Sequence, residues 1–247
     1  MINILTEKEL VDMRIACQIT RDTLLEVEKH IKPGVTTKQL DKIAHDYIVS
    51  RGAKPGFLHL YGFPASICAS VDDVVVHGIP DNTPLQEGQI ISIDVGAKYK
   101  GLNGDAARTF PVGKIDAKKK RLIDITEKSF FEGIKNIKSG SFVGDISNQI
   151  QTFVEKNGYT IVRELEGHGV GRNLHEEPDV PNFGHRGAGA RLMAGMTIAV
   201  EPMVNMGKRF VKFMPDGWTC KTRDGEPASH YENTILITQD GVEILTL

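Results

Sequence analysis

Three cysteines in 247 residues, Cys17, Cys68 and Cys220, have no pairing or metal-ligand spacing, which argues against a disulfide framework and for a reducing compartment. No apolar run approaches the ~18 residues of a membrane span. The first ten residues, MINILTEKEL, lack the basic and apolar regions of a secretory signal. An excess of one charge is missing too: 30 Lys and Arg face 32 Asp and Glu, leaving no electrostatic reason to expect nucleic acid or an anionic membrane. The run Lys118–Arg121 is accordingly read as a solvated helix face, since stacking aromatics do not accompany it. The chain is expected to be soluble and cytoplasmic, a single domain spanning 1–247.

What is present centres on residues 88–110, GQIISIDVGAKYKGLNGDAARTF. Ile90, Ile91, Ile93 and Val95 read as a strand with Asp94 inside it. A carboxylate buried there needs a cation or hydrogen-bond donors. Asp105 follows a glycine-punctuated segment, as if the chain had turned back as a partner strand presenting both acids to one side.

The pattern recurs. Leu85, Gly88, Ile91 and Asp94 are matched by Leu192, Gly195, Ile198 and Glu201 at a constant offset of 107. Ile31-Lys32-Pro33-Gly34 answers to Ile137-Lys138-Ser139-Gly140, and Leu40, Tyr47, Ile48 and Gly52 to Ile146, Phe153, Val154 and Gly158, at an offset of 106. Such self-similarity reads as a duplication into two facing α/β halves, approximately 1–110 and 116–247. Each half donates two acids: Asp94 and Asp105 from the first, Glu201 and Glu232 from the second. The wider spacing of the second pair implies an insertion that includes Met203–Gly225.

Helix signals frame these strands. Thr6-x-x-Glu9 and Thr36-x-x-Gln39 are capping boxes, the first opening a long amphipathic helix up to Pro33-Gly34 and the second a helix closed near Gly52. Residues 116–139 and about 146–156 also repeat at helical spacing. Between them, Ile67–Val76 reads as a strand interrupted at Asp72-Asp73 that delivers His77 to its end. A single histidine before a glycine, His77 taken alone reads first as a surface or capping residue. His168, flanked by glycines that permit close backbone approach, suits a ligand loop; with His175 seven residues on, it does not match the HExxH zinc helix. Met203–Met206 reads as a turn, and Asp240-Gly241 as a hairpin turn. Trp218 reads first as packing.

Four acids on four strands, joined by one histidine, are too much negative charge to bury without metal. Two divalent ions about 3.5–4 Å apart, sharing carboxylates and holding a hydroxide, would neutralise them. An oxygen-rich ligand set with one imidazole suits Mn, Fe or Co as well as Zn. Triads built from Ser66, Ser70 or Cys68 lack nucleophile-elbow glycines and rank low.

Seven segments in order, Val75-Val-His77-Gly-Ile-Pro80, Ile93-Asp94, Gly104-Asp105, Gly167-His168-Gly-Val-Gly-Arg172, Leu174-His175-Glu-Glu-Pro178, Val200-Glu201-Pro202 and Tyr231-Glu232-Asn-Thr234, resemble the signatures of type I (bacterial-type) methionine aminopeptidases. The resemblance implies the α+β pita-bread fold, with two pseudo-symmetric α/β halves around a central curved antiparallel sheet. It implies Asp94 and Glu201 as terminal metal ligands, Asp105 and Glu232 as bridging ligands, and His168 on one ion. The cofactors would be two divalent ions drawn from Co, Mn, Fe, Zn or Ni. His77 would meet the scissile amide and His175 the carbonyl and its developing negative charge. The substrate pocket would comprise Phe57, Leu60, Phe63, Cys68, Leu174 and Trp218, with leucine at two places that are often aromatic in the family. His230 stands where the family often has glutamine, two residues before the bridging glutamate, and could alter the shell around the ligands. The substrates would be peptides and nascent chains beginning with methionine and a small second residue. A monomer is expected, with transient ribosome association among the partners to consider. Proline-specific aminopeptidases or dipeptidases, and metal-free binding modules of the same fold, are the alternatives.

Overall fold

Thr6 Oγ1 accepts from Glu9 N at 3.3 Å while Glu9 Oε2 accepts from Thr6 N at 2.9 Å, and this reciprocal cap opens helix α1, Glu7–Glu28, in the computed structural model, which describes residues 2–247. The helix stops short of Pro33-Gly34 because His30 N already closes a tighter turn onto Val27 O. Helix α2, Thr37–Ser50, starts with the matching cap at Thr36 and Gln39, and Gly52 follows it at φ +74°. Asp116 caps α3, Ala117–Ile134, by accepting from Lys118 N and Lys119 N. Helix α4, Val143–Lys156, ends at Asn157, with Gly158 at φ +84°. None of the helices among the described residues is long and apolar enough to cross a membrane.

Positions matched in sequence occupy matched places. Helices α2 and α4 each have 14 residues. Gly34 N donates to Leu85 O at 2.8 Å, and Gly140 N donates to Leu192 O at 2.8 Å. Isolated bridges join Thr36 to Pro84 and Phe142 to Arg191. Gly88 and Gly195, at φ +88° and +91°, turn the chain into the strands that lead to Asp94 and Glu201. Glycine is suited to both turns because only it enters this region without a Cβ penalty.

In the first half, Ile90–Tyr99 and Leu102–Pro111 form an antiparallel hairpin, flanked by Ile67–Val71 and the short strand Lys54–Pro55. In the second, the strand order is Val242–Ile244, Asn233–Ile237, Thr197–Val200, Gly167–Gly169, Glu176–Val180. The halves are stitched at the centre: Glu232 N donates to Ala107 O at 2.9 Å, and Thr234 Oγ1 both receives from Asp105 N and donates to Asp105 O. The outcome is a four-stranded and a five-stranded antiparallel sheet joined by these bonds, with helices packed behind them, in keeping with the pita-bread arrangement that the resemblance implies.

Hydrophobic burial fixes the strand faces. Ile91, Ile93, Val95 and Ala97 pack with Leu40, Ala44 and Ile48 of α2, so the alternate residues Ser92, Asp94 and Gly96 face the other way. An equivalent core behind the second half joins Phe130, Ile146 and Ile150 to Ile198 and Ile235. Each such large side chain contributes about 1.5–3 kcal/mol on burial. Gly104 allows α1 to lie close, since a Cβ there would sit 2.7 Å from the Cys17 backbone.

The insertion between Glu201 and Glu232 is more ordered than its composition suggests. Met203–Asn205, expected as a turn, is a buried strand paired with both Ala228–His230 and Thr160–Ile161. Further along, Val211–Phe213 and Cys220–Thr222 join Val74–Val76, the strand that ends at His77, in a small sheet. The partners of Met203–Asn205 lie far away in sequence, which is why local pattern missed the strand.

Candidate metal centre

Asp94 lies opposite Ala107 in the hairpin register and Asp105 opposite Gly96, so the two carboxylates are diagonal neighbours on one face. The expectation of four acids on four strands needs correction. Asp94 and Asp105 are within strands, whereas Glu201 directly follows Thr197–Val200 and Glu232 sits in the break between Ala228–His230 and Asn233–Ile237. Those breaks let both glutamates turn toward the hairpin instead of following the sheet's alternation.

His168 also departs from expectation. It lies on the short strand Gly167–Gly169 opposite Ala199, not in a loop. The reason for the glycines survives the correction: a Cβ on Gly167 would collide with Ala199 O, and one on Gly169 with Glu177 O. His168 Nδ1 donates to Gly169 O at 2.9 Å, which leaves Nε2 with its lone pair free, 3.7 Å from Asp105 Oδ2 and 3.6 Å from Glu201 Oε1.

These five residues line the same cleft together with His77, His175, Phe57, Leu60, Phe63, Cys68, Leu174 and Trp218. Every side chain singled out in the sequence for ligation, catalysis or the pocket therefore converges here. His77 adopts φ +59° at the end of its strand, and Gly78 packs tightly beneath Ala69 O. The His175 ring meets His168 edge-on at 4.4 Å. Phe63 and Trp218 pack edge to face at 5.1 Å, so Trp218 both packs and lines the cleft.

Tyr61 also lines the cleft, and no role was assigned to it from the sequence. Its ring stacks over His175 at 5.9 Å and 17° while remaining 74% exposed. An aromatic residue within the Gly- and Pro-rich segment 53–66 was the available signal. Asn233, which had no sequence role, accepts from the Arg108 guanidinium at 2.6 Å and from Thr246 Oγ1 at 2.9 Å. Arg108 also donates to Glu232 O and lies 4.2 Å above the Tyr231 ring, so Asn233 helps fix the backbone that carries Glu232.

The electrostatics call for a cation. Burial, reinforced by neighbouring carboxylates, raises Asp105 and Glu232 well above the usual carboxylate range. Burial likewise lifts Asp94 to about 7 and Glu201 to about 8. The same desolvation depresses His168 to about 3 and His77 to about 4, leaving both imidazoles neutral. Asp94 Oδ1, Asp105 Oδ1 and Glu232 Oε1 are buried without a hydrogen-bond partner among the described residues. Unpaired buried oxygens are costly, and a hard or borderline divalent cation is the partner that matches this donor set. The residues fit: ligand atoms of Asp105, His168 and Glu232 lie within 4.8 Å of one another, as do those of Asp94, His230 and Glu232.

Nucleophilic side-chain chemistry finds no support. Cys68 is buried and its thiol is pushed far up, so it serves as a small apolar group. His45 meets buried Ser66 at 2.9 Å, but Asp41 accepts from the Ser66 and Ile67 backbones, leaving no triad. Ser70 Oγ accepts from Gly78 N.

Comparison with known proteins agrees with this chemistry. The model of metallopeptidase family M24 matches residues 11–239. A methionine aminopeptidase of Clostridium perfringens is 51% identical over all of this chain and 99% of the relative, and methionine aminopeptidase 1 of Bacillus subtilis is 48% identical over 98% and 97%. The crystal structure of methionine aminopeptidase from Rickettsia prowazekii superposes with a TM-score of 0.98 at 43% identity, covering 100% of both chains. A Pyrococcus furiosus prolidase, 22% identical with a TM-score of 0.81, shares the fold; this chain covers 65% of it. A family model over residues 11–239, relatives up to 51% identical over the whole chain and the shared pita-bread fold, around a cluster of acids suited to a divalent cation, thus place the chain in metallopeptidase family M24, among the type I methionine aminopeptidases.

Proposed function

We propose that the chain removes methionine from the N-terminus of peptides and nascent proteins whose second residue is small. One observation carries the reading: a nest of unpaired buried carboxylates and an apolar slot open into the same cleft. Asp94, Asp105, His168, Glu201 and Glu232 would hold two divalent ions. When bound, such ions supply Lewis-acid charge and a water of lowered pKa.

The protein groups position the substrate around that centre. The carboxylate-rich end of the cleft attracts a free α-amino group. Phe57, Leu60, Phe63, Cys68, Leu174 and Trp218 enclose the first side chain, and unbranched, polarizable methionine suits such an irregular apolar slot. His175, buried enough to be held neutral, offers an N–H where the scissile carbonyl oxygen gains negative charge. His77, which lines the same cleft, orients the amide. Tyr61, stacked over His175, crowds the space beyond the scissile bond and disfavours a large second residue.

A mass-spectrometric panel of tripeptides varied at the first two positions tests this. Met-Ala-Ser and Met-Gly peptides are cleaved, Met-Lys and Met-Phe peptides are not, and N-acetylated Met-Ala peptides are inert. Because a missing methylene in an apolar pocket costs only about 1–3 kcal/mol, norleucine substitutes tolerably for methionine. Release of any first residue preceding proline would instead establish a proline-specific peptidase.

A further inference from the structure

We propose that His230 is a sixth metal-binding side chain, giving the centre an imidazole on the Asp94 side to match His168 on the other. This inference rests on the metallopeptidase reading and adds a ligand to it. His230 is 1% exposed, and its Nε2 is buried without a hydrogen-bond partner among the described residues. That atom faces Glu201 Oε2 at 3.5 Å and Glu232 Oε2 at 3.7 Å. His168 Nε2 faces its own two carboxylates at 3.7 and 3.6 Å, the same relation on the other side of Glu201. Glu201 therefore directs one oxygen at each imidazole.

The donor atoms of Asp94, His230 and Glu232 lie within 4.8 Å of one another, a span that one ion with bonds of ~2.0–2.3 Å can draw together by small side-chain adjustments. The two ligand sets share Glu232, and each comprises two carboxylates and one imidazole.

The backbone holds His230 in place from the other half of the molecule. Thr109 Oγ1, on the first-half hairpin, donates to His230 O at 2.8 Å and accepts from His230 N at 3.0 Å. Thr109 is itself in contact with Ser92 Oγ at 2.8 Å and Ser229 Oγ at 3.0 Å. His230 also pairs with Met203 in the strand register. An imidazole clamped on both main-chain groups, with its ring nitrogen unpaired and aimed at carboxylates, is arranged as a preorganised ligand.

A second nitrogen donor has a chemical consequence. Imidazole favours Fe, Ni, Zn and Cu over the oxygen-preferring Mn and Mg, so His230 should tilt the Asp94 side toward the later metals.

X-ray absorption at the cobalt edge of protein loaded with two Co²⁺ ions tests the assignment without reference to turnover. Ligation by both histidines predicts about one imidazole per cobalt, whereas His168 alone predicts about half of one. In His230→Gln, which keeps a donor N–H but lacks the imidazole lone pair, the count should fall by half. Calorimetry should then show one Co²⁺ site weakened by at least about 10-fold and Mn²⁺ weakened less. A wild-type count of one half, or His230→Gln binding both ions as the wild type does, overturns the sixth ligand while leaving the metallopeptidase reading intact. A wild-type protein that takes up no divalent ion overturns both.

Discussion

The first half delivers its two acids on a single hairpin, where register alone puts Asp94 and Asp105 on one face. The second half delivers Glu201 and Glu232 from breaks in the sheet, separated by an insertion that builds its own strands. Both halves contribute equally to charge but unequally to shape. The insertion carries Trp218 into the cleft and pairs Cys220–Thr222 with the strand that ends at His77, so it supports the substrate side of the site. The comparison teaches that a carboxylate pair needs only two neighbouring chain segments, whereas a selective pocket needs added structure. An ancestry by duplication, which we propose for the two halves, accounts for the shared frame, and the insertion accounts for the asymmetry.

The equality of the halves can be broken by removing charge. Exhaustive chelation should abolish turnover, with Mn²⁺ or Co²⁺ restoring it; full turnover of the chelated protein would sink the metal reading. Asp105→Ala in the first half and Glu201→Ala in the second should each lower kcat/KM well beyond the ~10–100-fold that loss of a supporting partner costs, with calorimetry showing at least one ion site lost. If only one of the two variants lost an ion site, the halves would not share the centre. His175→Ala should lower kcat by about 10²-fold with little change in KM, while His77→Ala should move both constants. Variants that retain their metals and lose less than about threefold in kcat/KM would make these histidines structural.

The asymmetry is sharpened by Trp218→Ala. This change should weaken kcat/KM for methionine peptides by roughly 10-fold, in line with the 1–3 kcal/mol reach of apolar pocket contacts, and leave metal affinity untouched. A loss of metal binding in that variant would show that the insertion supports charge as well as shape.

The convergence of the acids was legible in the sequence because a carboxylate within an apolar run, such as Asp94, must be matched by a cation or by hydrogen-bond donors to be buried at all. It also reached α1 and α2 through their capping boxes, which are local signals. It failed where structure depends on distant partners. Met203–Asn205 is a strand only because Ala228–His230 and Thr160–Ile161 flank it. His168 looked like a loop residue because glycines weaken any strand signal, although here they make room for neighbouring carbonyls. Tyr61 was missed because an exposed aromatic acquires its meaning only from the His175 ring beneath it.

Acids from both halves are buried together, and their combined charge calls for a shared divalent cation. Thermal unfolding of the chelated protein from pH 6 to 9 tests this most directly. Burial raises the folded-state values of Asp94 to about 7 and Glu201 to about 8, above their unfolded values, so the folded protein holds protons that the unfolded chain releases. Their contribution is therefore present at low pH and is lost as pH rises through about 7 and 8; His168, His77 and His230, held neutral in the fold but taking up protons near their ordinary value of 6.5 in the unfolded chain, oppose this trend only at the acid end of the window. The midpoint temperature should fall across pH 6 to 9 in chelator and recover on addition of Mn²⁺ or Co²⁺, most strongly at the alkaline end. A midpoint that rises with pH in chelator, or that added metal leaves unchanged throughout, would contradict the account.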